Sequence, residues 1–332
     1  MLRNWRFWLG VAISIIFLVL ALRGQDFGQI RRALGEADYR LLPPALLLYF
    51  VGVWGRALRW RILLRPVGHF SASALYPIIV IGYMANNVLP LRLGELVRAY
   101  ALRERAGAPA SATLATIAVE RLCDGLTMLG FLLFASLFIP LNAELRRLAF
   151  VAATVFAVLL VVLVAVVLSN RLHDRLLGLA VRILPLPEAL TARLIAVVEG
   201  FVKGLRVLRS GRDLAAVTLL SVLVWGFEAG LYLTIAPAFR LPVRPAGALL
   251  TTAVANLSTL IPSSPAYIGV FESAVVLVLN GVLGIASELA LSYALVVHAA
   301  LYLPITLWGL YYWARGSLSW GEVRAAGGGS VE

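Results

Sequence analysis

Glu120, Arg121 and Asp124 stand together in "LATIAVERLCDGLTM", in the middle of an apolar run. On a helix, Glu120 and Asp124 are four residues apart and share a face, and Arg121 lies three before Asp124, within pairing reach. Two readings follow: a self-neutralising structural ion pair, or the charged wall of a hydrated cavity inside a membrane. A second group is the triplet Arg92, Glu95 and Arg98 in "NNVLPLRLGELVRAY", recurring every third residue as one charged stripe if the segment is helical. The Gly94 amide and the helix start behind it would aim N–H groups at the break before them. With arginine's planar fork this outlines an anion site. The plainer reading is that these arginines snorkel to the headgroup level and anchor the segment.

A third polar set, Asn256, Ser258, Thr259, Ser263, Ser264, Tyr267 and Glu272, follows a short apolar run. Such side chains either satisfy free backbone groups where a helix breaks or bind a polar headgroup. Glu228 in "VWGFEAGLY" and His298 in "ALVVHAALY" are lone ionisable residues within apolar runs. An unpaired carboxylate is costly in lipid, which makes Glu228 the more suggestive. Arg59 and Trp60 in "RALRWRILL" read as anchors at the membrane interface. The single Cys123 excludes an intrachain disulfide and reads as a small core residue. No Walker loop, GxSxG elbow or HExxH pair occurs, and the three histidines, His69, His173 and His298, are scattered. Neither cofactor nor metal is expected, and the chain reads as a non-enzyme.

The chain that must position these groups has 332 residues, 61% of them hydrophobic and only 14% charged. Soluble domains have about 45–50% apolar and about 25% charged residues. Six apolar stretches approach or exceed the roughly 20 residues of a spanning helix: Trp5–Leu22, Leu41–Leu64, Leu114–Ile139, Leu148–Ser169, Leu214–Ala236 and Leu289–Trp313. The fold class is therefore all-α, a polytopic membrane protein. A single transmembrane domain is expected over 1–316, with a short flexible tail at 317–332. The net charge of +12 comes from arginines spread between apolar helices, which suits lipid headgroups and topology control better than nucleic acid.

Two apolar runs are too short to span. Near 74–106 and 246–284 each breaks and is followed by a second helical segment, with Asn87, Pro90, Gly94 and Glu95 in the first and Asn256, Pro262, Gly269 and Glu272 in the second. Paired interrupted segments are the sign of re-entrant hairpins in an inverted-repeat-like arrangement. The arginine-rich amphipathic segment 170–212 is placed in the cytoplasm by the positive-inside rule. Both termini then lie inside, and the two hairpins enter from opposite sides.

Together, "RALRWRILL", "NNVLPLRLGELVRAYAL", "VERLCDG" and "NLSTLIPSSPAYIGVFE" resemble the flippase-like membrane domain of the lysylphosphatidylglycerol synthase/flippase family, over about 38–313. The resemblance implies a lipid-translocating domain with two re-entrant hairpins. It also puts glycine where this chain has Ala266. Synthesising members carry a soluble synthetase domain after the membrane part. This chain ends soon after its last span, so it resembles the stand-alone members.

The resulting expectation is a flippase or scramblase-like transporter of the cytoplasmic (inner) membrane, moving a phospholipid or other anionic-headgroup lipid. Arg92, Arg98, Arg121 and Asn87 would hold the headgroup, and Glu95, Glu120, Asp124, Glu228 and Glu272 would balance charge or gate. Pro90, Gly94, Asn256, Pro262 and Gly269 would form the hairpin breaks. The partners expected are membrane lipids, with a homodimer possible. The alternatives are a membrane-embedded transferase acting on polyprenyl or phospholipid headgroups, and an ion-coupled solute transporter.

Overall fold

The computed structural model describes residues 5–89, 93–168, 188–261 and 264–317, and all regular structure among them is helical. Arg92, Pro90, Pro262, most of the tail expected at 317–332 and part of the amphipathic segment lie outside the described residues. Twelve α-helices are described, α1 (Trp5–Leu22), α2 (Phe27–Glu36), α3 (Leu42–Leu63), α4 (Ala72–Val88), α5 (Gly94–Ala106), α6 (Ala110–Ser136), α7 (Ala143–Leu168), α8 (Glu188–Leu205), α9 (Gly211–Ile235), α10 (Pro245–Ser258), α11 (Val270–Leu279) and α12 (Ser287–Tyr312).

Four helical stretches among the described residues are long and apolar enough to cross a bilayer: Tyr39–Leu63, Ala143–Val162, Gly211–Phe239 and Ser287–Arg315. A fifth is possible if Ala12–Leu22 and Phe27–Glu36, bent by 86° across a short break, count as one span. The first span expected from sequence ends at Leu22, and the structure adds a second helix, α2, beyond the bend. The cause is local: Asp26 caps α2, its side chain accepting from the Gly28 and Gln29 amides. Helix α6 has 27 residues, about 40 Å, but its central charges Glu120, Arg121 and Asp124 set it apart from a plain apolar span. It holds them because they face inward: Glu120 is 1% exposed and Asp124 5%. Apolar side chains such as Ile16, Phe150, Val161 and Leu219 point outward instead, as a lipid-facing surface requires. The protein is a polytopic helical membrane protein with polar groups inside and hydrocarbon outside.

Helices α4 and α5 fold back on each other as a hairpin. A 17-residue helix reaches about 26 Å, short of a hydrocarbon core of about 30 Å, and the 13-residue α5 is shorter still. Closure rests on Gly94: a Cβ there would stand 2.0 Å from the Gly82 carbonyl oxygen. The second hairpin is α10 and α11, of 14 and 10 residues, with Gly247 near its base meeting Leu283 across it.

The tip of the second hairpin is strained. Ala266 and Tyr267 have φ of 67° and 58°, in the left-handed region that costs roughly 1–2 kcal/mol for a residue with a Cβ. Gly269, at φ 85°, backs against α1, where a Cβ would come within 2.6 Å of the Ser14 carbonyl oxygen. Its amide donates to Glu272 Oε2 at 2.7 Å, which starts α11. The hairpins are held by long helices on either side. Asn87 donates to Thr306 of α12 at 2.9 Å, while Ser14 of α1 donates to Ser264 at 2.8 Å.

Candidate functional site

The site is built on α3, whose apolar surface carries Arg56 and Arg59 one turn apart. Close packing on α9, with Gly52 and Gly55 against Val224, brings these arginines to Ser221, Trp225 and Glu228. Arg59 is fully buried, with Nη1 2.6 Å from Asp124 Oδ1 and 2.8 Å from Ser221 Oγ, and Nη2 3.4 Å from Glu120. It is not the interface anchor expected from sequence, and neither is Trp60. Both are 0% exposed, because Glu120 and Asp124 of α6 supply the countercharge that lets an arginine leave water.

Glu120 is the hub of this network. Arg98 of α5 grips it bidentately at 3.1 and 2.8 Å, and Arg121 Nη2 lies 2.8 Å from Oε1. The Arg98 guanidinium also lies 4.1 Å from the centroid of the Trp60 ring. Arg98 is therefore spent in the interior, 4% exposed, and does not line the cavity described below. The helix start beside it is taken too, since the Gly94 amide donates to Asn86 Oδ1 at 2.8 Å. Of that stripe, Arg98 is paired with Glu120 and the neighbouring Gly94 amide with Asn86, while Arg92 lies outside the described residues. Asp124 accepts from Trp225 Nε1 at 2.7 Å and lies 2.9 Å from Arg121 Nη2, the pair expected from their spacing.

A polar cavity of about 160 Å³ lies between the two hairpin tips. Asn86, Asn87 and Glu95 of the first hairpin face it, as do Asn256, Thr259 and Tyr267 of the second. The long helices complete the wall with Arg56 of α3, Glu228 of α9 and His298 and Tyr302 of α12. Arg121 reaches it from α6, its side chain 37% exposed, the most open arginine of the network.

Arg56 is held by Glu228 Oε2 and the Tyr83 hydroxyl, each at 2.7 Å, and lies 4.4 Å from the centroid of the Trp225 ring. Asn256 Nδ2 donates to Glu228 Oε1 at 3.2 Å. Glu228 and His298, lone residues in the sequence, thus have partners across helices, His298 Nδ1 being 2.5 Å from Glu272 Oε1. Asn256 sits in the last turn of α10 rather than in the break itself.

A second, apolar cavity of about 580 Å³ adjoins the first and shares Arg121, Trp225, Asn256 and Thr259 with it. Its other walls include Leu122 and Met128 of α6, Phe156 of α7 and Phe201 of α8.

Of the sequence-nominated residues, Asn87, Glu95, Arg121, Glu228 and Asn256 converge on the polar cavity, and Arg98, Glu120 and Asp124 form its buried backing. Glu272 braces the second tip. Arg56, Tyr83, Trp225 and Tyr302 were not singled out as site residues. The available signal was Arg56 and Arg59, three apart and set deeper than Arg61 in a largely apolar helix, with an equally unexplained Glu228 elsewhere in the chain.

A glycosyltransferase, AglD, of Haloferax volcanii is 25% identical over 87% of this chain and 51% of its own length. The chain therefore spans about half the length of that relative. A UPF0104 membrane protein of Methanothermobacter thermautotrophicus is 25% identical over 91% of both chains. The first match corrects the expectation of a non-enzyme, because a relative covering most of this chain is named for an enzymatic activity. That expectation rested on missing motifs of soluble enzymes and metalloproteases, which a transferase working on lipid in the bilayer need not carry. The model of the lysylphosphatidylglycerol synthase TM region matches residues 7–309, and the chain belongs to that family.

Proposed function

We propose that this chain takes the headgroup of a membrane lipid into the polar cavity between its hairpin tips and passes it across the bilayer. The observation that supports this reading is the pair of adjoining cavities, one polar and one apolar, meeting at Arg121, Trp225, Asn256 and Thr259. An amphipathic ligand has that division: a head that needs hydrogen bonds and a chain that needs hydrocarbon. Two short hairpins meeting at one site are the arrangement in which rocking of either would expose the cavity to one side at a time. The test is lipid movement in proteoliposomes holding lipid with a fluorophore on the acyl chain, where dithionite bleaches only the outer leaflet. Protein-containing vesicles are expected to lose the protected half of the signal, and a rate equal to that of empty vesicles would refute translocation.

A second reading is favoured by the relative named a glycosyltransferase: transfer of a glycosyl group to or from a lipid held in the same cavity. It would show as a new lipid-linked product when purified protein is given a lipid-linked sugar donor.

A further inference from the structure

We infer that the Glu272–His298 pair is a proton site that couples movement of the second hairpin, and with it the lipid, to a proton gradient. This rests on the reading of the chain as a lipid translocator and names what would drive it.

The pair stands where the second hairpin meets α12. Glu272 Oε2 accepts from the Gly269 amide at 2.7 Å, and Oε1 lies 2.5 Å from His298 Nδ1. A carboxylate that accepts from an amide is an acceptor for the imidazole too, so the hydrogen of a neutral ring sits on Nδ1 and leaves a lone pair on Nε2. Nε2 has no hydrogen-bond partner among the described residues, and the ring lines the polar cavity with its side chain 13% exposed. It is a base open to the cavity and backed by a carboxylate, of the one side-chain type that ordinarily titrates between about pH 5 and 8.

Both signs of charge face it. The cavity wall presents Arg56 of α3, Glu95 of α5, Arg121 of α6 and Glu228 of α9, with the hydroxyls of Tyr49, Tyr83, Tyr267 and Tyr302. Helix α2 packs on α12 as well, but its Arg31, Arg32 and Glu36 are exposed. Glu36 meets α12 near Leu289, about 13 Å along the helix from His298.

The fold supplies the lever. A proton on Nε2 turns the bond between a neutral ring and a carboxylate into one between opposite full charges, which is shorter and stronger. It clamps the start of α11 onto α12. Loss of the proton weakens that clamp beside a tip already strained at Ala266 and Tyr267. The ring also stacks on Phe271 of α11, with centroids 4.5 Å apart, and meets Tyr302 edge-on. The Tyr302 hydroxyl donates to the Asn87 carbonyl of the first hairpin at 3.0 Å, so the site touches both tips. Linkage is reciprocal: a proton that favours one hairpin position is bound more tightly in that position by the same factor. A proton taken up by Nε2 from water on one side and returned to water on the other carries the work of the gradient into the lipid step.

The test uses the full purified chain in phosphatidylcholine vesicles with a trace of phosphatidylglycerol labelled on a short acyl chain. Potassium is equal on both sides with valinomycin present, and the interior is set about one pH unit below the medium. Albumin extracts label from the outer leaflet alone, so the final distribution between leaflets is read against empty vesicles. One proton per lipid sustains up to about a tenfold excess in one leaflet, and an excess of about threefold or more, abolished by nigericin, is expected. An even distribution under the gradient, with lipid still crossing, overturns the coupling while translocation stands.

His298→Gln keeps a donor toward Glu272 but takes no proton, so its final distribution should be even whatever its rate. An excess equal to that of the unmodified protein would overturn the assignment to His298. If no lipid crosses faster than in empty vesicles, translocation falls, and nitrogen NMR decides the proton site. With His69→Gln and His173→Gln and the purification tag removed, His298 is the one histidine left. Its ring nitrogens should shift as Nε2 gains a proton between about pH 5 and 8. Resonances that stay fixed across that range would overturn the site.

Discussion

Glu120 is the residue on which the interior charges turn. It meets Arg59, Arg98 and Arg121 while 1% exposed, so its removal strands guanidinium groups in a medium that does not tolerate them. Removing one partner of a buried pair costs about 3–5 kcal/mol, and Glu120→Gln should approach or exceed that range. The expected outcome is a large drop in melting temperature in detergent, with much of the protein lost to aggregates on size-exclusion chromatography. Adding Arg98→Met to Glu120→Gln should recover part of the loss, so that the double variant is milder than the sum of the singles. The carboxylates and Arg121 were legible as a helical cluster from their spacing. The depth of Arg59 was not, because an arginine near the end of an apolar run is indistinguishable in sequence from one that snorkels. Only the position of α6 beside α3 decides between them.

At the scale of elements, the hairpins carry opposite kinds of constraint. The first depends on a close approach: Gly94→Ala would drive a methyl into the Gly82 carbonyl, and α4 and α5 must part. That variant should lose lipid transfer and expose the hairpin, which faster cysteine labelling at Asn87→Cys would register in the Gly94→Ala background against the Gly94 background. The second hairpin is strained at Ala266, with φ of 67°. Ala266→Gly should stabilise the protein by about 1 kcal/mol, the relief of a left-handed alanine, visible as a higher melting temperature. Both hairpins could be read from sequence as short apolar runs ending in Asn, Pro, Gly and Glu. The bend between α1 and α2 could not, because hydropathy treats "RGQDFGQIRRALGE" as a polar connector. Its helix depends on Asp26 as a cap.

Among the described residues, hydrocarbon faces outward and an ion-paired interior opens into a polar cavity between two short hairpins, beside an apolar cavity of about 580 Å³. Filling that apolar space should block the chain of the ligand without touching the polar wall. Gly125 meets Phe156 there, so bulk is better added at Ala118, where Ala118→Trp should slow lipid transfer at least about tenfold if chain seating is obligatory. The ion-pair network and the meeting of the hairpins belong to tertiary structure, since they join residues as far apart as Asn87 and Thr306.

The central claim is that a lipid headgroup occupies the polar cavity. Its most direct test is photo-crosslinking in proteoliposomes with a lipid whose headgroup carries a diazirine, followed by peptide mapping. The adducts are expected on cavity residues from both hairpins, Asn87 or Glu95 and Asn256 or Tyr267, and excess unlabelled lipid should compete them away. Adducts confined to the outward faces and helix ends, with the cavity residues unmodified, would contradict the claim.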